Sequence, residues 1–98
     1  MYGVVIEFPS IDQSFYDAVN ALLGISDDDP VAGYPDGLLS HAGGPTPDGW
    51  IVMEVWESKE AQETFMASRL GPALAEAGVP APSRVTDSNL VKYQAFSN

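Results

Sequence analysis

The sequence contains no cysteine, which excludes disulfides, thiol nucleophiles and cysteine-ligated zinc. Positive charge is scarce: Lys59, Arg69, Arg84 and Lys92 are the only four cations against 14 acids, for a net charge of −10. Phosphate backbones are held by clustered Lys and Arg that release counterions. Nucleic acid is therefore not an expected partner, and the same charge disfavours anionic membrane surfaces. No apolar run approaches the ~20 residues that span a bilayer. The opening "MYGVVIEFPS" has no basic n-region, so no secretory signal is expected and a cytoplasmic location is. Also missing are a Gly-rich phosphate loop, a serine nucleophile elbow and a dinucleotide fingerprint. Histidine occurs once, as His41.

What is present suits one small globular domain spanning residues 1–98. Apolar residues make up 45% of the chain and aromatics 10%, too much for a disordered segment. A domain of this length buries only about two-thirds of its unfolded surface, so association would add useful burial.

Residues 2–8, "YGVVIEF", are β-branched and aromatic and end at Pro9, which predicts strand 1. Ser10 with Gln13 three positions on fits a capping box. Ile11, Phe15, Ala18, Val19, Leu22 and Leu23 then form a stripe at helical spacing, stopped by Gly24. The turn-rich "ISDDDPVAGYPDG" follows. Asp27, Asp28 and Asp29 lack the spaced ligands, turn glycine and closing Glu of a calcium loop, and read as a solvated acidic segment. Strands 2 and 3 are predicted at 37–43 and 49–57, with "GPTPDG" favouring a longer hairpin loop over a two-residue turn. Ser58 caps helix 2, which Gly71 and Pro72 should kink or restart before it ends at Gly78. Residues 84–95 complete the set as strand 4. The order β-α-β-β-α-β is the ferredoxin-like α+β pattern, a four-stranded antiparallel sheet with both helices on one face.

Strand alternation sorts the sheet into two faces. Pairing Gly43 with Trp50 sets His41 opposite Val52 and Leu39 opposite Glu54. Ile51, Met53, Val55, Leu38, Ser40 and Ala42 then share a small, aliphatic face suited to packing under the helices. The other face collects Val5, Glu7, Leu39, His41, Trp50, Val52, Glu54 and Trp56. It is too apolar for water over so large a patch, yet ionisable at its centre. The expectation is a ligand-lined interior on the helix-free face, closed by a second copy in a two-fold dimer.

The segment "GWIVMEVWESKEAQETFMASRLGPALAEAG" resembles the dimeric α/β-barrel superfamily, in particular its antibiotic-biosynthesis-monooxygenase-like branch. Trp56-Glu57-Ser58, Glu60-Ala61 and Phe65 carry the likeness, which is strongest from Gly49 to Gly78. The resemblance implies sheet-to-sheet homodimers with a site between helices and sheet or within the barrel. It also implies cofactor-free oxygenation or cyclisation of aromatic polyketides, or haem degradation. Haem-degrading members resemble one another in an Asn on strand 1, a Trp on helix 2 and a later iron-ligating His. Here the matching positions hold Glu7 and Phe65, and no histidine follows His41, so no haem, and no other cofactor, is expected.

The chemistry available is that of a proton carrier. His41, with an ordinary pKa near 6.5, would act as acid/base, with Glu7 or Glu54 orienting it. A His with two carboxylates could instead form a facial metal triad, but the spacing does not single this out and no metal is expected. Val5, Leu39, Trp50, Val52 and Trp56 would wall a pocket for an aromatic ligand, with Tyr34 from the long loop as its lid. Two readings follow. One is a small enzyme resembling cofactor-independent monooxygenases or cyclases of aromatic or polyketide-like compounds. The other is a non-catalytic homodimeric binding or accessory protein whose polar cluster organises the interface. A cavity of roughly 300 Å³ or more separates the first from the second.

Overall fold

A computed structural model describes residues 1–26, 28–29 and 32–96. Asp27 and Pro30 of the acidic loop lie outside the described residues. The elements are β1 (Tyr2–Pro9), α1 (Gln13–Leu23), β2 (Leu38–Thr46), β3 (Gly49–Trp56), α2 (Lys59–Phe65), a π-helical turn (Met66–Leu70), α3 (Gly71–Ala77) and β4 (Arg84–Asn89). Their four strands form one antiparallel sheet in the order β2-β3-β1-β4. This is the expected ferredoxin-like α+β fold.

Local chemistry explains the boundaries, with corrections to the sequence reading. Asp12, not Ser10, caps α1, its carboxylate accepting from the Ser14 backbone N–H at 2.9 Å. Ser10 instead takes a left-handed φ of 59° and donates its N–H to the Asp48 carbonyl at 2.8 Å. The capping-box spacing was satisfied in sequence, but the chain needs Ser10 to turn out of β1. Gly24 ends α1 at φ 77°, a conformation that costs glycine little. β2 runs on to Thr46 and pairs it with Gly49, leaving a two-residue turn, Pro47–Asp48, rather than a longer loop. Gly49 is dictated there, because a Cβ would collide with the Phe8 carbonyl. β4 stops at Asn89, short of the expected 95, and all six of its residues are exposed at the sheet edge.

The kink expected at Gly71 and Pro72 is a π turn. Pro72 has no N–H to give a carbonyl four residues back, and the helix widens so that Gly71 N–H bonds Met66 O. Helical dihedrals continue through both junctions. The turn aims Arg69 at the far end of the domain. Its guanidinium donates to Leu23 O at 2.9 Å and Gly33 O at 2.8 Å and lies 5.4 Å above the Phe65 ring.

The largest correction concerns the faces. Cross-strand pairs of β1 and β3 are Tyr2↔Trp56, Val4↔Glu54, Ile6↔Val52 and Phe8↔Trp50. The buried residues of β1 therefore lie on the tryptophan side, and this side packs under the helices with Val19, Leu23, Phe65 and Ala73. The aliphatic face with Ala42, Met53 and Val55 is the helix-free one. Val5 and Glu7 belong to it, opposite Met53 and Ile51. Alternation within a strand gives two faces but not which of them the helices cover. The aromatic stripe of β3 is bulky enough to fill the gap beneath two helices, and it wins.

Candidate functional site

Two strand positions build the centre of the site. His41 on β2 is paired directly with Glu54 on β3, not with Val52 as expected. The slip is two residues, so parity survives and the two side chains share a face. A bulge between Leu38 and Ser40 rotates Leu38 inward and leaves Leu39 41% exposed. Leu39 is thus outside the site.

On the helix-covered face a continuous chain of hydrogen bonds runs from α1 to the sheet centre. The Tyr16 hydroxyl lies 2.6 Å from His41 Nε2, and His41 Nδ1 lies 2.8 Å from Glu54 Oε2. Trp56 Nε1–H donates to Glu54 Oε1 at 3.2 Å. Glu54 is 8% exposed and Trp56 fully buried. A carboxylate only accepts, so it takes a proton-bearing Nδ1 from His41 and the N–H of Trp56. That fixes the imidazole as the Nδ1–H tautomer and turns Nε2 toward Tyr16. Burial pushes the Tyr16 phenol above its ordinary pKa; a bond from Asn20 opposes this, and Tyr34, Glu54 and Asp17 add to it. Tyr16 therefore stays a phenol at neutral pH, with its proton beside the imidazole nitrogen.

Tyr16, Asn20, His41 and Glu54 line a cavity between helices and sheet, whereas Trp56, expected to wall it, reaches only Glu54 and is not part of its lining. Ile6, Phe8, Phe15, Val19, Leu23, Val52, Phe65 and Leu74 make it apolar, and Trp50 and Tyr34 join His41 and Glu54 along its edge. Its volume is about 70 Å³. Tyr34 sits 5.8 Å from the His41 ring, and the Tyr16 ring lies 5.0 Å from that of Trp50, tilted by 30°.

The structure thus brings together His41, Glu54, Trp50, Val52, Trp56 and Tyr34 on the helix-covered side. It places Glu7 and Val5 on the other face, where the Glu7 carboxylate lies 4.0 Å from the exposed Arg84. The facial triad therefore does not converge, and among the described residues no group of three metal-ligating side chains does. Sequence reasoning missed Tyr16 and Asn20. Their i, i+4 spacing on α1 beside Phe15 and Val19 was the available signal; what it lacked was the knowledge that this helix lies over His41.

No protein-family model matches the chain, and no curated protein does. Solved structures do match over nearly the full length. One is a protein from Chloroflexus aurantiacus J-10-fl described as an antibiotic biosynthesis monooxygenase, with 20% identity, 98% of each chain covered and a TM-score of 0.64. A second is the ActVA-Orf6 monooxygenase of Streptomyces coelicolor, solved in complex with nanaomycin D. It has 21% identity, coverage of 98% of this chain and 92% of that one, and a TM-score of 0.59. A third, from Deinococcus radiodurans, has 15% identity, coverage of 99% and 96%, and a TM-score of 0.53. The likeness is one of fold: the β-α-β-β-α-β sheet with its helical layer on one face is shared with these monooxygenase-described structures.

Proposed function

We propose that this chain is a cytoplasmic, homodimeric enzyme that modifies a small aromatic or polyketide-like molecule without a bound cofactor, using His41 and Glu54 as its acid–base couple. The observation that carries the reading is the part-buried Tyr16···His41···Glu54 chain along an apolar cavity, with Trp56 donating to its carboxylate end. Both imidazole nitrogens are held, with a hydroxyl at the cavity end. The Tyr16 oxygen takes a proton from an acidic C–H or O–H of the substrate while its own proton passes to His41 Nε2. Glu54 steadies the imidazolium so formed. Returning that proton to a different substrate atom completes an isomerisation or cyclisation. Alternatively the carbanion adds dioxygen, and His41 protonates the outer oxygen to give a hydroperoxide. Loss of water from a CH–OOH then leaves a ketone, so one oxygen atom enters the product and one leaves as water.

Dimerisation is supported by the helix-free face. Gly3, Val5, Ala42, Met53, Val55 and Leu90 line an open concavity of about 400 Å³ there, and Met53 is 48% exposed. A second copy laid on this face would bury an otherwise wet apolar patch.

The second reading, a non-catalytic binding or accessory protein, is favoured by one observation. A cavity of 70 Å³ is well under the roughly 300 Å³ that a multi-ring ligand fills, so catalysis requires the loop carrying Tyr34 to yield. The deciding experiment incubates the protein with a panel of planar phenols and aromatic ketones in air and follows products by mass spectrometry. Turnover that His41→Ala abolishes in a still-folded dimer supports the enzyme. Absence of turnover across the panel, with ligands bound equally by both proteins, establishes the accessory reading.

A further inference from the structure

One polar atom of this cavity is left over. Among the described residues, Trp50 Nε1 is the buried side-chain nitrogen or oxygen that finds no hydrogen-bond partner. Trp50 is 5% exposed and lines the cavity. An indole N–H donates and cannot accept, and a buried donor without an acceptor is costly. The neighbouring groups cannot relieve it. The Tyr16 ring lies tilted only 30° from the indole, so the in-plane N–H runs alongside the phenol rather than into its face. Gly43 keeps the spot open, since a Cβ there would stand 3.2 Å from Nε1 and equally near Tyr16.

We propose that Trp50 Nε1–H is the specificity-determining donor of the cavity and that it selects a flat, largely apolar ligand bearing a neutral carbonyl oxygen. The apolar walls, with the rings of Tyr16 and Trp50 among them, take the ring skeleton. The orphan donor calls for an acceptor, which an ammonium group, and so an aliphatic amine at neutral pH, lacks. Glu54 on the same wall and a net charge of −10 turn away carboxylates and phosphates, which leaves a ketone or quinone-type oxygen. The proposal rests on the reading that this cavity binds a ligand, but not on its turning that ligand over.

The test uses 1-indanone and indane, one skeleton with and without the oxygen, which require less opening of the cavity than a multi-ring ligand. Uniformly 15N-labelled protein gives one indole N–H signal from each of its two tryptophans. Indanone should bind about tenfold tighter, the factor expected for one recovered hydrogen bond, and should move the Trp50 signal downfield. Indane should move it little, and Trp56 should respond weakly to both. Trp50→Phe should bring the two affinities together, whatever it does to indane alone. Gly43→Ala, which covers the N–H and leaves the tryptophan in place, should do the same if the phenylalanine variant does not fold. Equal affinities in the wild type, a preference that survives both variants, or binding of neither probe overturns the proposal. A ketone preference that persists in His41→Ala, with no turnover by any protein, would retain this proposal and remove the enzyme reading. Turnover without a ketone preference would do the reverse.

Discussion

Glu54→Gln changes one oxygen to an amide nitrogen and leaves shape nearly untouched, so its effect reports on proton placement. Two donors now converge on Glu54: His41 Nδ1–H at 2.8 Å and Trp56 Nε1–H at 3.2 Å. A glutamine offers one carbonyl for the two. If Trp56 keeps it, the amide NH2 faces His41 Nδ1 and forces the proton to Nε2, pointing it at Tyr16. The imidazole then donates where it must accept. Losing a charged, buried hydrogen-bond acceptor costs about 2 kcal/mol, which for a domain of this size lowers Tm by roughly 8–16 °C. Any activity should fall by about 10⁴-fold, the loss seen when a triad histidine is held in the wrong tautomer. The assay does not need a substrate. His41 is the chain's only histidine, so a long-range 1H–15N spectrum contains a single imidazole. The wild type should show Nδ1 protonated, and the variant should show Nε2 protonated. An unchanged tautomer together with a stability loss below about 0.5 kcal/mol would mean that Glu54 does not hold His41, and the relay would have to be abandoned.

Two further outcomes follow from other parts of the molecule. Tyr2 is buried and donates to Asp87 at 2.8 Å, and burial first, then that carboxylate, push its phenol up to about 12. Because the folded-state value is raised, its contribution to stability is complete below pH 10 and disappears as pH climbs towards 12. Urea midpoints taken from pH 9 to 12 should fall in the wild type, and Tyr2→Phe should flatten that part of the curve. Met53→Asp, on the helix-free face opposite Val5, should yield a folded monomer by light scattering. A dimer of undiminished affinity would move the interface elsewhere.

The element order, the caps at Ser58, Gly24 and Gly78, and the disturbance at Gly71–Pro72 could be read from the chain because each rests on local chemistry. So could the shared face of His41 and Glu54, since a hairpin slip of two residues preserves parity. The side on which that face lies could not be read. It depends on how β1 meets β3, strands separated by a helix and a hairpin, and on Phe8 facing Trp50 rather than Ile51. Glu7 was misplaced for this reason, not through any error in its own alternation. Tyr16 was overlooked because its role exists only once α1 lies across the sheet. The unpaired indole of Trp50 is a matter of ångströms, and no pattern of residue types encodes it.

The bulge at Leu39 has a bearing on how such a domain can change over time. His41 lies on the hairpin side of that irregularity, so its phase is set by the short Pro47–Asp48 link and by pairing with β3. The connection that delivers Tyr34 enters from the other side. An inserted or deleted residue in that connection can be absorbed at the bulge, reshaping the mouth of the cavity while the imidazole and its carboxylate keep their station. Under the proposed function, ligand range can thus drift independently of proton transfer.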